Sequence, residues 1–221
     1  MCCSIRTVAI SCVYSSVCSA QEKRAAEVVR QELGPDAYVS CGSELGRLGL
    51  CERENTVIIN AALRELAEKT ISSFETGLGD VLGPQAVTPP EMFLTQNDGT
   101  LMPLGLARVL PVLTFASGPT NSMRGAAFLT GFRDAVVVDV GGTTSDAGLL
   151  SKGFPLERAL DARIGGVRTN FRLPDVHSIG LGGGSRIHEH DDGSVTVGLS
   201  FFFSSRIRSL IYISFTTDFA E

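Results

Sequence analysis

One segment in the second half of the chain carries the residue types of an anion-binding turn. Asp139 follows an apolar run, then come two glycines, three hydroxyl residues, and Asp146 before a second apolar run. The first run (135–138) is valine-rich and short, which predicts a buried strand, and the second (147–150) is too short to be a helix. We therefore expect a strand–turn–strand hairpin whose backbone N–H groups face an anion, with phosphate as the leading candidate.

A second glycine turn, Gly182-Gly183-Gly184-Ser185, follows a predicted strand over residues 176–181. One glycine cluster is usually only a tight turn, but two clusters at strand ends favour a shared ligand. Two plainer interpretations stay open. The second cluster is nearly as compatible with a simple turn, and Asp139 and Asp146 could cap the first turn as Asx residues do.

Two familiar nucleotide motifs do not fit the Asp139 segment. A P-loop would end in Gly-Lys-Ser/Thr, which is missing here. A dinucleotide fingerprint needs three spaced glycines opening a helix, whereas a strand is expected after these glycines.

The elements that must position the two turns alternate between strands and helices, which predicts an α/β fold. The expected helices cover residues 21–33, 54–82, 101–109 and 119–129, and the expected strands cover residues 8–17, 38–41, 91–95, 112–116 and 162–168. Asn97-Asp98-Gly99 is a turn signal of the kind that closes hairpins.

The long helix over residues 54–82 has an expected apolar face and polar residues close to it. The predicted face comprises Val57, Ile58, Ala61, Ala62, Leu66, Ile71 and Phe74. Asn55 and Asn60 lie on or near this face, where buried amides normally bond to backbone. The functional alternative is that Glu52, Arg53 and Asn55 border a cleft.

Composition limits the classes of function. The chain of 221 residues is long enough for one large domain or two small ones, and its 43% hydrophobic and 19% charged residues are typical of a packed globular protein. A net charge of -5 provides no basic field, so nucleic acid is not expected as a partner. No apolar tract reaches the ~18–20 residues that span a membrane.

The cysteines and histidines give no metal signature. All six cysteines lie in the first quarter, without a Cys-x-x-Cys pair, which favours a cytoplasmic protein with free thiols. His188 and His190, beside Glu189, Asp191 and Asp192, superficially suggest a metal cluster. Five polar residues before a glycine are more typical of a solvated hairpin tip.

The Asp139–Asp146 segment resembles the second phosphate-binding hairpin of the actin, sugar-kinase and chaperone ATPase superfamily. Four pieces together are similar to the hydantoinase A/oxoprolinase family: residues 46–63, Ser117-Gly118-Pro119, the Asp139 hairpin and residues 178–185. The resemblance covers roughly residues 8–198, and its specificity comes from the order and spacing of the pieces.

This resemblance implies an actin-like ATPase (ribonuclease H-like) lobe with a mixed sheet and flanking helices. Family members couple ATP hydrolysis to the opening of cyclic amides such as hydantoins and 5-oxoproline, and relatives form subunits of ketone carboxylases. A lactam carbonyl is a poor electrophile, and phosphorylating its oxygen creates a good leaving group for attack by water. That chemistry needs ATP, magnesium and positioned carboxylates.

The resemblance also assigns residues. Backbone N–H groups of Gly141, Gly142 and Thr143 would cradle phosphate, and the hydroxyls of Thr143 and Thr144 would donate to it. Asp139 and Asp146 would be the catalytic carboxylates, either holding magnesium through water, with Asp139 as the first candidate, or orienting the nucleophile. The second glycine turn, Gly182, Gly183, Gly184 and Ser185, would line the same cleft.

The chain departs from the family pattern at both ends. Full-length relatives begin with a domain carrying its own Asp-x-Gly-Gly-Thr hairpin, which these residues do not contain, so the expected lobe is incomplete. We expect a family domain at residues 8–198 and a non-homologous, aggregation-prone tail at residues 199–221. The expected function is an ATP-dependent cyclic-amide hydrolase acting on a small lactam or hydantoin, or its nucleotide-handling portion. The alternatives are a non-catalytic binding module and a subunit that depends on a hydantoinase B-type partner. A lobe exposed in this way is also expected to self-associate.

Overall fold

The computed structural model describes residues 5–45, 48–83, 90–158, 162–199 and 210–214. The chain divides into two compact units. Unit 1 comprises Met1–Phe115 and Arg158–Leu173, and unit 2 comprises Ala116–Glu157 and Pro174–Glu221. The predicted phosphate hairpin and the second glycine turn both fall in unit 2.

Helices and strands are distributed through both units. The described helices are α1 (Ala20–Leu33), α2 (Gly42–Leu45), α3 (Leu50–Leu82), α4 (Leu104–Val109) and α5 (Ser117–Thr130), with a 3-10 helix at Pro111–Thr114. The described strands are β1 (Thr7–Ile10), β2 (Tyr38–Cys41), β3 (Phe93–Thr95), β4 (Leu101–Pro103), β5 (Ala135–Val140), β6 (Ser145–Ser151), β7 (Phe154–Pro155), β8 (Ala162–Ile164), β9 (Val167–Thr169), β10 (Val176–Ile179), β11 (Ser185–Glu189), β12 (Val195–Leu199) and β13 (Leu210–Ser214).

Unit 1 is a parallel strand pair with helices and short hairpins. β1 and β2 pair in parallel, with α1 as the crossover between them. Parallel neighbouring strands require such a crossover, because a tight turn reverses the chain and would make the second strand antiparallel. Ala26 of α1 is buried against Val39 and Cys41 of β2 in one cluster. β3 and β4 form the hairpin that the Asn97-Asp98-Gly99 turn signal predicted.

The two asparagine amides of α3 bond to neighbouring groups. Asn60 is fully buried, and its Nδ2 donates to Ser40 Oγ and to the Val109 carbonyl, both at 3.0 Å. Asn55 Nδ2 donates to the Arg168 carbonyl at 2.9 Å. The interpretation of both asparagines as structural residues is therefore confirmed.

Arg53 is also structural, so the functional alternative, in which it borders a cleft, is wrong for this residue. Its side chain is 1% exposed, and Nη2 donates to the carbonyls of Cys12 and Val13 at 2.8 and 3.2 Å. Glu22, also 1% exposed, accepts the backbone N–H groups of Cys12 and Ser43. Buried charges are tolerated when hydrogen bonds satisfy them, and here they fix the segment after β1.

Four of the seven residues of the apolar face predicted for α3 are exposed: Ile58, Ala62, Leu66 and Phe74. Val57, Ala61 and Ile71 are buried as expected, but Leu66 and Phe74 are 62% and 63% exposed. Apolar residues occur on several sides of this helix, so periodicity alone does not select the buried face.

Local chain chemistry explains three further differences. The strand expected at 112–116 is wrong, because Pro111 opens the 3-10 helix there. The helix expected from residue 101 begins at Leu104, since residues 101–103 pair with β3 and a residue before proline avoids helical geometry. β1 ends at Ile10 rather than 17, because Ser15 closes a turn by donating from Oγ to the Cys12 carbonyl.

Unit 2 contains an antiparallel sheet in the order β10-β6-β5-β13, with β7 also paired to β6. Helix α5 packs on one face of this sheet, where Met123 and Ala126 meet Val137 and Leu150. Most of the predicted tail from residue 199 lies outside the described residues. Its described residues are Leu199, which ends β12, and β13, which extends the sheet along the edge of β5. The expected boundary between a family domain and a tail stays a prediction.

Candidate phosphate-binding site

The Asp139 segment forms the predicted hairpin. β5 and β6 pair from Ala135↔Leu150 to Val140↔Ser145, and residues 141–144 make the turn. The Gly141 amide donates to the Thr144 carbonyl at 2.9 Å, which closes the turn. The valine-rich run favours β5 because branched side chains pack well on a pleated surface.

The second glycine turn lies directly against the first. The amides of Gly183 and Gly184 donate to the carbonyls of Gly141 and Gly142 at 2.9 and 2.8 Å. Ser145 Oγ donates to the Leu181 carbonyl. The two glycine turns therefore lie side by side, as a shared ligand site requires, and their binding of one ligand stays a prediction. We call this arrangement of residues 141–145 with 181–184 the glycine clasp.

Gly182 is required by the closeness of the two backbones. A Cβ atom at this position would lie 2.7 Å from Gly141 O, Gly142 C and Thr143 N. All three are backbone atoms, which cannot move aside as the end of a side chain can. Any other residue would push the two turns apart.

The clasp determines which amides remain for a ligand. Gly141, Gly183 and Gly184 donate within the clasp, and Gly182 donates to Ser185 Oγ at 3.0 Å. In the described part of the chain, the amides of Gly142 and Thr143 have no acceptor, and both residues are exposed. Of the three amides expected to cradle phosphate, these two are available.

The two aspartates lie opposite each other across the hairpin. Asp139 pairs in register with Asp146, and Asp146 pairs with Ser178 on β10. Directly opposed residues share one face of a sheet, so two carboxylates and a hydroxyl form one row, which we call the carboxylate row. Like charges in that arrangement are destabilising, and a bound cation would relieve the repulsion.

Neither carboxylate caps the turn. Elsewhere in unit 2, Asp134 and Asp192 each accept a backbone N–H, from Lys152 and Ser194. Within the described ranges, no backbone amide donates to Asp139 or Asp146. The Asx-capping interpretation therefore does not account for this pair.

Helix α5 supports the row from the same face of the sheet. Ser122 Oγ donates to Asp139 Oδ2. This hydrogen bond joins α5 to the carboxylate row. The next residue, Met123, fills the space over Gly148, where a Cβ atom would lie 2.8 Å from the Met123 sulfur. Sequence reasoning missed Ser122. The available signal was a hydroxyl one residue from the buried Met123 and four before the buried Ala126, where a partner is required.

The donor set fits magnesium. The row offers only oxygen ligands, and magnesium is usually held by one or two carboxylates together with waters and phosphate oxygens. Across the described residues, no cluster of three or more His, Cys, Asp or Glu side chains provides a closed metal cage. Asp139 and Asp146 are thus the residues that would hold the ion.

The His188–Asp192 segment covers the end of β11 and part of the turn that follows. His188 and Glu189 pair with Thr196 and Val195 of β12, and residues 190–194 form the hairpin tip. The Gly193 amide donates to the His190 carbonyl at 2.9 Å. The side-chain and backbone donors of Ser194 hold the pKa of Asp192 below its usual value. These contacts are local to the turn.

The chain matches one protein family and is similar in sequence to enzyme subunits from two bacteria. A sequence model described as hydantoinase/oxoprolinase matches residues 53–201. The chain belongs to the hydantoinase/oxoprolinase family. It is 31% identical over 198 residues to the caprolactamase subunit alpha of Pseudomonas jessenii, covering 88% of this chain and 27% of that protein. It is 24% identical over 188 residues to the acetophenone carboxylase gamma subunit of Aromatoleum aromaticum, covering 81% of this chain and 25% of that one.

The fold also matches a solved structure of this kind. Nucleotide-free acetone carboxylase, from a study of ATP-dependent acetone carboxylation, superposes with a TM-score of 0.62 at 21% identity, covering 86% of this chain and 27% of that one. The likeness confirms the predicted fold class, an α/β lobe with flanking helices. The chain spans about a quarter of the length of the relatives it matches, at 27% and 25%.

Two further features of the described residues concern the cysteines and the length of the apolar helices. Cys12, Cys18, Cys41 and Cys51 are free thiols. None of the described helices is both long and apolar enough to cross a membrane.

Proposed function

We propose that the chain is the nucleotide-handling part of an ATP-dependent enzyme that opens cyclic amides. The observation that carries this proposal is the carboxylate row, Asp139 opposite Asp146, beside the two amides of Gly142 and Thr143 that have no acceptor in the described part of the chain. Amides without acceptors suit phosphate oxygens, and carboxylates without capping partners suit a hydrated cation.

The chemistry follows from the weakness of a lactam as an electrophile. The γ-phosphoryl group of ATP would pass to the lactam carbonyl oxygen, and water would then attack the carbonyl carbon. The C–N bond breaks with the amine as the leaving group, which gives an acyl phosphate. A second water hydrolyses the acyl phosphate, so one lactam, one ATP and two waters are consumed. The products are an amino acid, ADP and phosphate. Magnesium would neutralise charge on the phosphates, and the protein's part is positioning and electrostatic stabilisation.

In this proposal each part of the site has one role. The amides of Gly142 and Thr143 bind a phosphate group, and the Thr143 and Thr144 hydroxyls donate to it. Asp139 and Asp146 orient the hydrated ion or the attacking water. The second glycine turn, including Ser185, holds the first in place, and its own contact with nucleotide remains a prediction.

The substrate class rests on relatives. The caprolactamase subunit alpha is named for a cyclic amide, which favours lactams, while the two carboxylase relatives are named for ketones. Hydantoin and 5-oxoproline belong to the same chemical class as caprolactam.

Four free thiols favour a reducing compartment, the cytoplasm.

A second candidate is a subunit that acts only with a partner chain. Two relatives are named as subunits, and this chain spans about a quarter of each, 27% and 25%. In that case the chain binds nucleotide and turns over only when a hydantoinase B-type protein supplies the rest of the site.

Calorimetry with a non-hydrolysable ATP analogue and magnesium tests the site. We expect the full chain to bind and Asp139→Ala to lose at least about tenfold in affinity, as expected for losing an interaction with a charged group. Asp192→Ala is the matched control, because Asp192 lies at another turn of the same unit and caps backbone. Equal binding by wild type and Asp139→Ala would rule out Asp139. Phosphate release that depends on a lactam, with or without a B-type partner, separates the hydrolase from a non-catalytic binding module.

A further inference from the structure

Ser122 is a helix residue whose hydroxyl contacts the carboxylate of Asp139 and can fix its orientation. It is half-buried on α5, on the side that packs against the sheet, and its hydroxyl donates to Asp139 Oδ2. No other described group bonds to the Asp139 carboxylate, so Oδ1 remains available.

The direction of this hydroxyl sets Ser122 apart. Helical hydroxyls commonly donate to the carbonyl four residues earlier. Thr76 and Thr130 of this chain do so, at 2.9 and 2.7 Å from Ser72 O and Ala126 O. Ser122 instead bonds across to β5.

The bond has a consequence for the carboxylate row. Asp139 and Asp146 face each other in register, so their charges repel and would turn the two side chains apart. A donor on Oδ2 offsets that repulsion and holds one orientation of Asp139. The packing of Met123 over Gly148, one residue along α5, fixes the helix relative to the row.

We propose that Ser122 is a positioning residue for Asp139: it holds Oδ2 so that Oδ1 faces the hydrated magnesium ion that accompanies nucleotide. The inference rests on the proposed function, and it adds a residue from outside both glycine turns. Ser122 itself contacts neither nucleotide nor ion.

The test is a magnesium titration of nucleotide-analogue binding by the full chain. We expect Ser122→Ala to raise the half-saturating magnesium concentration about tenfold, the size of effect given by one hydrogen bond to a charged group. Affinity measured without magnesium should stay unchanged. Ser122→Thr keeps the hydroxyl donor, so its half-saturating magnesium concentration should be close to that of the wild type. Thr130→Ala, which removes a hydroxyl from the same helix, is the matched control.

The outcomes separate the two proposals. If Ser122→Ala keeps the wild-type magnesium dependence, the positioning role is overturned while the phosphate site stands. If Ser122→Ala weakens binding equally with and without magnesium, the residue is merely structural and the inference is again overturned. If wild type shows no magnesium-promoted binding, the proposed function fails and takes this inference with it.

Discussion

The β5–β6 hairpin and the β11–β12 hairpin lie in the same unit and carry aspartates and glycine at or beside their turns. In β11–β12 every bond at the turn is local: Asp192 accepts the Ser194 amide, and the Gly193 amide donates to His190. In β5–β6 the turn carbonyls of Gly141 and Gly142 instead accept from glycines about forty residues further along the chain.

The difference lies in the partners rather than the residue types. The aspartate at the β11–β12 tip satisfies its own backbone, which is how turn aspartates usually act. In the described part of the chain, the aspartates of β5–β6 accept no backbone amide. They lie opposite each other across the two strands, and Asp139 accepts a hydrogen bond from Ser122 of α5. Polar groups kept away from local partners in a folded chain are candidates for an external ligand.

The largest effect is expected from removing the close approach of the two glycine turns. Gly182→Ala forces a Cβ to within 2.7 Å of three backbone atoms. We expect a loss of about 2 kcal/mol in the free energy of unfolding, typical of an overpacked site, together with loss of nucleotide-analogue binding. Denaturant unfolding and calorimetry measure the two quantities.

The matched control is Gly180→Ala. Nothing lies within 4 Å of a Cβ at Gly180, on the same segment of chain. If the two alanine variants behave alike, the clasp does not organise the site, and the contrast between the hairpins disappears.

A smaller effect, opposite in sign at the two hairpins, should follow from neutralising one aspartate in each. Asp146→Asn removes a like-charge opposition and should raise the free energy of unfolding without ligand by about 0.5 kcal/mol. The same change should weaken magnesium-dependent nucleotide binding. Asp192→Asn weakens a cap and should slightly lower stability while leaving binding unchanged.

Denaturant unfolding with and without the nucleotide analogue distinguishes these outcomes. A less stable Asp146→Asn protein would mean that Asp146 makes a structural contact like that of Asp192. The aspartates of the two hairpins would then be equivalent.

The sequence predicted the parts of the site that depend on local chemistry. A valine run, two glycines and a short return strand define the β5–β6 hairpin without long-range information. The convergence of the second glycine turn was also foreseen, because both turns follow strands. Ser122 and Ser178 were not foreseen, since their closeness to the carboxylates depends on helix packing and strand register.

The errors in the fold have the same origin. The buried face of α3 depends on which elements pack against it, and its apolar residues occur on several sides, so Leu66 and Phe74 were wrongly placed inside. Residues 112–116 have the composition of a strand, but Pro111 opens a 3-10 helix and their carbonyls serve Asn97 instead: Val112 O accepts from its side chain and Leu113 O from its amide.

The central claim is that the amides of Gly142 and Thr143 bind phosphate. The most direct measurement follows the backbone amide resonances of the full chain by NMR during titration with a non-hydrolysable ATP analogue and magnesium. We predict saturable shifts at Gly142 and Thr143, with Gly193 and Ser194 of the other hairpin unmoved. Resonances of Gly142 and Thr143 that stay in place throughout the titration would contradict the account.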